Sequence, residues 1–110
     1  MSATLAAAVA TPALAAPSGL SGSCASLPRR VNLTWTATTS AFADGYDILR
    51  STTNGGPYAS VGSVSGVSTV AFTDSTVAAL TTYYYVVKAK RNLWRSPTSN
   101  QATVSTVLCI

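Results

Sequence analysis

The run Val31-Asn32-Leu33-Thr34-Trp35-Thr36-Ala37 constrains the fold of this chain more than any other feature. Val31, Leu33, Trp35 and Ala37 fall on one face and Asn32, Thr34 and Thr36 on the other, the period-two pattern of a half-buried strand. Trp35 carries the largest apolar area on that face and is expected at the centre of the core. An exposed, ligand-binding Trp35 would leave its aliphatic neighbours in water as well. No stretch of the chain carries a convincing helical period.

The same sorting recurs downstream. In the run beginning at Tyr83, residues Tyr83, Tyr85, Val87 and Ala89 share one face. Tyr84, Val86 and Lys88 share the other, which is expected to keep some apolar surface exposed. Residues 45–51, a turn over 52–57 and residues 58–64 read as a hairpin, with Asn54-Gly55 supplying positive φ and Pro57 interrupting the ladder. An edge strand over 17–24, a strand around 69–73 carrying Phe72 and a last strand over roughly 101–107 complete the set. The expected core is Val31, Leu33, Trp35, Tyr46, Ile48, Phe72, Tyr83, Tyr85 and Val87. Short β runs at this spacing indicate an all-β sandwich, and 110 residues hold one such domain with at most a tail.

Composition narrows the function. Charged residues make up only 9% of the chain, so Ser, Thr, Asn and Gly must dress the surface. The chain has no His and no Glu, and Asp44, Asp47 and Asp74 are its only acidic residues. Nucleophile–base pairs, paired carboxylates and clustered calcium ligands are therefore not indicated, and neither catalysis nor a cofactor is expected. Gly55-Gly56 is turn chemistry, with no following helix and no Lys-Ser/Thr to make a phosphate loop. Asn32-Leu33-Thr34 spells a glycosylation acceptor, but in mid-strand. A net charge of +4 allows long-range attraction to nucleic acid, acidic glycans or anionic cell-wall polymers, but a charge this small is more simply read as ordinary solubility.

Residues 1–16 contain no charged side chain and are mostly Ala, with an Ala-x-Ala triplet at Ala13, Leu14 and Ala15. They read as a secretory signal-like leader or an Ala-rich disordered one, ahead of a domain over 17–110. The run is too short and too interrupted, by Thr11 and Pro12, to span a membrane. Cys24 and Cys109 lie near the two ends of the folded region. In an oxidising compartment they would close almost the whole domain in one disulfide loop. In the cytosol they would remain free thiols, and as a metal pair they lack further ligands.

Taken together, the residues resemble a fibronectin type III domain over about residues 17–106. The resemblance rests on Pro17-x-x-Leu20, the Val-x-Leu-x-Trp strand ending at Trp35, Gly-Tyr-x-Ile-x-Arg-Ser from Gly45 with Gly-Gly-Pro-Tyr from Gly55, and Thr-x-Tyr-x-Tyr-x-Val-x-Ala from Thr81. It implies an immunoglobulin-like sandwich of seven antiparallel strands in two sheets, with Tyr83 as the corner tyrosine bonded back to the preceding connection. The hairpin and the triple Tyr look most like bacterial secreted and cell-surface members. Val77 and Leu80 depart from the pattern, Leu80 standing where Gly is common, so that either the turn differs or Leu80 finds a pocket. The cysteine pair is not a general feature, and no Arg-Gly-Asp is present.

The implied role is a non-catalytic, secreted or cell-surface structural or interaction module: a spacer, adhesion unit or assembly subunit. Its partner would be another protein, a neighbouring module or a second copy, and nucleic acid is disfavoured. The region best suited to recognition is Lys88, Lys90, Arg91, Trp94 and Arg95, read as a loop before the last strand, and the side carrying Tyr84, Val86 and Trp94 is expected to present an adherent patch. Arg beside Trp suits stacking on sugars and attraction of anions, so an acidic glycan or cell-wall polymer is the alternative ligand. The competing reading is that Trp94 folds back over the sheet edge with Arg95 along it.

Overall fold

The structure is a computed structural model, which describes residues 13–107 and 109. Strands β1 (Ser18–Ala25), β2 (Arg30–Thr36), β3 (Gly45–Ser51), β4 (Ala59–Ser65), β5 (Ala71–Asp74), β6 (Thr82–Arg91), β7 (Trp94–Arg95) and β8 (Ala102–Ser105) form two antiparallel sheets. One has the order β1-β2-β5. The other runs β4-β3-β6, and β7 and β8 both pair with β6. The described residues are all-β and pack as a sandwich.

The alternation in the sequence becomes the core. Val31, Leu33 and Trp35 from β2 meet Tyr46 and Ile48 from β3 and Tyr83, Tyr85, Val87 and Ala89 from β6, all buried. Phe72 is partly buried against them. Trp35 and Tyr46 pack edge to face, with ring centroids 5.4 Å apart. Tyr83 turns its hydroxyl back to accept a hydrogen bond from Ala78 N at 2.7 Å, tying β6 to the connection before it.

Glycines close the two open sides of the sandwich. Gly22 in β1 faces β8, and a Cβ there would stand 2.7 Å from Leu33 Cδ2 and 2.8 Å from Val104 Cγ2. On the opposite side the Phe72 ring occupies the space above Gly62. Strands β1 and β8 lie in different sheets, and the side chain of Asn100 bridges them. It accepts from Leu20 N at 2.8 Å and donates to Leu20 O at 2.9 Å, standing in for a missing strand neighbour.

Five details differ from expectation. The eighth strand is the two-residue β7, so the basic segment forms a β-hairpin with the end of β6 and is not a loop. Val86 is buried, at 2% exposure, so the second face of β6 is less open than its alternation implies. In the β3–β4 turn the positive φ angles belong to Gly55 and Gly56 (86° and 96°), one residue later than Asn54-Gly55. Leu80 keeps the backbone of a glycine turn, with φ 56°, and its side chain is 75% exposed, so it neither alters the turn nor finds a pocket. Packing also extends upstream of Pro17: Leu14 is buried in the core, while residues 1–12 of the leader lie outside the described part.

Candidate functional site

The β6–β7 hairpin is built by register and by one left-handed residue. Lys90 stands opposite Arg95 and Arg91 opposite Trp94. Asn92 takes φ 54° in the turn, a conformation Asn adopts more readily than most residues. Asp44 anchors the turn from the neighbouring loop, since its carboxylate accepts from Asn92 N at 3.2 Å and its own N–H donates to Lys90 O at 2.9 Å. The hairpin thus holds Leu93 almost fully exposed at its tip, with Trp94 beside it at 43% exposure.

The cations of this region are unequal. Arg95 forms an ion pair with Asp47 and also donates to Asn92 O and Trp94 O. Arg91 donates to Phe42 O at 3.2 Å. Both guanidinium groups are thereby directed at the protein itself. Lys88 and Lys90 are half-buried and make no ion pair with the described carboxylates.

Register also divides the candidates between two faces. Directly opposite residues of an antiparallel pair share a face, and successive residues alternate. Tyr84, Lys88, Lys90 and Arg95 therefore belong to the outer face of the sheet, whereas Arg91 and Trp94 continue the inner face beyond the end of the sandwich. Tyr84 pairs with Thr103 at the start of β6. Seven residues separate it from Arg91, roughly 23 Å along a strand. The structure therefore brings Arg91, Trp94, Lys90 and Arg95 together at one end, with Lys88 one step inward, and leaves Tyr84 remote.

A second polar cluster lies inside the opposite end. Arg50 and Asp74 both occupy core-facing strand positions and pair at 2.8 Å. Asp74 Oδ2 also accepts from the Tyr85 hydroxyl at 2.7 Å, while its Oδ1 accepts from Thr76 N and Thr76 Oγ1 at 3.0 and 2.6 Å. The Arg50 guanidinium lies 4.8 Å above the Tyr83 ring centroid. Burial pushes the Asp74 carboxyl up, but the hydrogen bonds from Thr76, Tyr85 and Arg50 prevail and hold it below the ordinary Asp value. Burial, then the bond to Asp74, raises the Tyr85 phenol far above its usual range. Burial opposes the Arg50 charge, yet its hydrogen bond and proximity to Asp74 leave its pKa raised. Both Asp74 carboxylate oxygens accept from other members, and Arg50 Nη1 also donates to Thr76 Oγ1 at 2.8 Å, which makes the cluster a clamp between sheets.

Sequence reasoning missed this clamp, although a signal existed. The alternation that places Tyr46 and Ile48 inward also places Arg50 inward, and the one that buries Phe72 also buries Asp74. It missed the serines too. Ser96 Oγ accepts from Ala89 N at 2.8 Å and Ser99 Oγ from Val87 N at 3.0 Å, completing the β6 edge between β7 and β8. Cys24 and Cys109 are joined in a disulfide, with Cα atoms 5.0 Å apart. Among the described residues no His/Cys/Asp/Glu cluster is placed to hold a metal, and no pocket forms.

No family model and no curated protein matches the sequence. Solved structures do. An Fn3-like protein from Clostridium thermocellum is 36% identical, with a TM-score of 0.70, the match covering 87% of this chain and 94% of that one. A β-1,2-glucanase from Parabacteroides distasonis matches at 24% identity and TM-score 0.67, over 87% of this chain but 13% of the glucanase. The FN1-FN3 domains of chicken CNTN1 match at 22% identity and TM-score 0.68, over 86% of this chain and 34% of theirs. These last two establish likeness of fold alone.

Proposed function

Because the chain belongs to the fibronectin type III family, we propose that it is a non-catalytic extracellular module that acts by holding or presenting a surface. Domains of this family generally serve as structural or interaction modules. The observation that carries the extracellular reading is the Cys24–Cys109 disulfide, which spans 85 residues. Such bonds persist in oxidising compartments and are reduced in most cytosols. Domains of this kind commonly sit in multidomain proteins and mediate protein interactions, so the partner is sought among proteins, adjoining modules or further copies of the chain. Fractionation of the source cells tests the reading: the protein is expected in the medium or on the cell surface, and confinement to the cytosol contradicts it. Light scattering over a concentration series separates a monomeric spacer from an assembly subunit.

A second reading is favoured by the exposure of Leu93 and Trp94 on the hairpin tip. In it, Trp94 stacks on a sugar ring of a glycan or anionic wall polymer, with Arg91, Arg95, Lys88 and Lys90 lending positive charge. The inward bonds of Arg91 and Arg95 must then open or be shared on binding. Retention on cell-wall polymer, compared between the native protein and Trp94→Ala, decides the matter. A loss on substitution supports the reading, and unchanged retention removes it.

A further inference from the structure

Asn54-Gly55 is the one Asn-Gly pair in the chain, and that pair carries a chemistry of its own. Asparagine is among the thermolabile residues, and a following glycine leaves its backbone N unhindered in reaching the Asn side chain. The other asparagines, Asn32, Asn92 and Asn100, precede Leu33, Leu93 and Gln101, whose side chains crowd that approach. Packing does nothing to slow the reaction at Asn54. Asn54 and Gly55 are both exposed in the β3–β4 turn, and a Cβ placed on Gly55 would meet nothing within 4 Å.

What engages the pair is a single distant side chain. Gln101 Oε1 accepts from Gly55 N at 2.9 Å, and Gln101 Nε2 donates to Asn54 Oδ1 at 2.9 Å. The Tyr58 hydroxyl donates to the same Oε1, which fixes the end of the Gln101 carboxamide that faces the glycine. These bonds hold both halves of the would-be reaction. An N–H that donates to a neutral oxygen gives up its proton less readily than a free one. The reacting atoms must also reach a near-attack arrangement, which a pinned carboxamide does not enter. Gln101 immediately precedes β8, so the contact exists only when the turn and the approach to β8 are folded together.

We propose that Asn54 is a deamidation site held latent by Gln101, which acts as a positioning residue: the folded domain suppresses the reaction, and opening of the Gln101 contacts releases it. In the released turn Gly55 N loses its proton to solvent and attacks Asn54 Cγ. The new N–C bond forms, the Cγ–Nδ2 bond breaks, and Nδ2 takes up a proton and leaves as ammonia. Water then opens the five-membered imide. Breaking its Cγ–N bond yields Asp, and breaking the bond to the Asn54 carbonyl carbon yields the isomer whose main chain runs through the side chain. Water is the only co-reactant, and nothing is oxidised or reduced. Either product places a carboxylate within residues 51–73, a stretch with no charged side chain between Arg50 and Asp74.

The test incubates the native protein and Gln101→Ala in warm neutral buffer, once folded and once in urea. Mass spectrometry then follows the tryptic peptide 51–88, whose only side-chain amide is that of Asn54. Folded Gln101→Ala is expected to convert about tenfold faster than the folded native protein, the factor that two hydrogen bonds of ordinary net strength supply. In urea the two rates should coincide. Tyr46→Phe removes two hydrogen bonds at the opposite end of β3, and it should convert at the native rate. Native protein that converts as fast folded as unfolded overturns the proposal, and so does Gln101→Ala that stays as slow as the native protein. A Tyr46→Phe rate equal to that of Gln101→Ala overturns it too, because general loss of stability would then be the cause. Absence of conversion in urea removes the site itself.

Discussion

At the scale of single residues, the core face of the sandwich carries two charges, and their consequences can be measured. Asp74 is 2% exposed and paired with Arg50, so removing one partner strands the other. Asp74→Ala is expected to cost about 3 kcal/mol of unfolding free energy, read from urea midpoints. Because the folded carboxyl titrates below its unfolded value, its contribution is complete above the ordinary Asp pKa and is lost as pH falls through the lower folded one. The native protein should therefore weaken progressively from about pH 5 downward, and Asp74→Asn should flatten that acid limb. An acid limb identical in the two proteins contradicts the assignment. Leu80 offers the opposite sign. Its φ of 56° places a branched residue in left-handed backbone with its side chain in water, so Leu80→Gly is expected to raise stability by up to about 1 kcal/mol, seen as a higher thermal midpoint.

At the scale of elements, period-two alternation was enough to locate β2 and β6 and their inward faces, while β3 was legible from the turn that follows it. Alternation was not enough for β7. A two-residue strand has no period to read, so Trp94-Arg95 looked like loop until its pairing with Arg91 and Lys90 was seen. Alternation also misjudged Val86, whose outward parity in β6 does not prevent burial. Of the candidate binding residues, the clustering of Lys90, Arg91, Trp94 and Arg95 was legible from their proximity in sequence. The inward bonding of both arginines was not, since Asp47 and the Phe42 carbonyl arrive from distant positions. The sheet edges make their own prediction. Gly22→Ala drives a methyl into Leu33 and Val104, and a cost of about 1–3 kcal/mol is expected in denaturant melts. A cost near zero would mean that β1 and β8 do not approach as described.

At the scale of the whole molecule, a sandwich of two sheets is tied by Asn100 between β1 and the approach to β8 and by the Cys24–Cys109 bond. By the chain-entropy relation a loop of 85 residues contributes about 4.5 kcal/mol. The Cys24→Ser, Cys109→Ser double variant should accordingly show a much lower urea midpoint than the native protein, with the difference vanishing when both are kept in reductant. On the extracellular reading proposed above, this covalent tie links fold to function, because such a bond persists in an oxidising environment and would help a small, sparsely charged domain to last there. Its direct test is a non-reduced digest of alkylated protein taken from its natural source. A peptide joining Cys24 to Cys109, with neither cysteine alkylated, is the predicted result. Two alkylated thiols would contradict the account of this chain as an extracellular module.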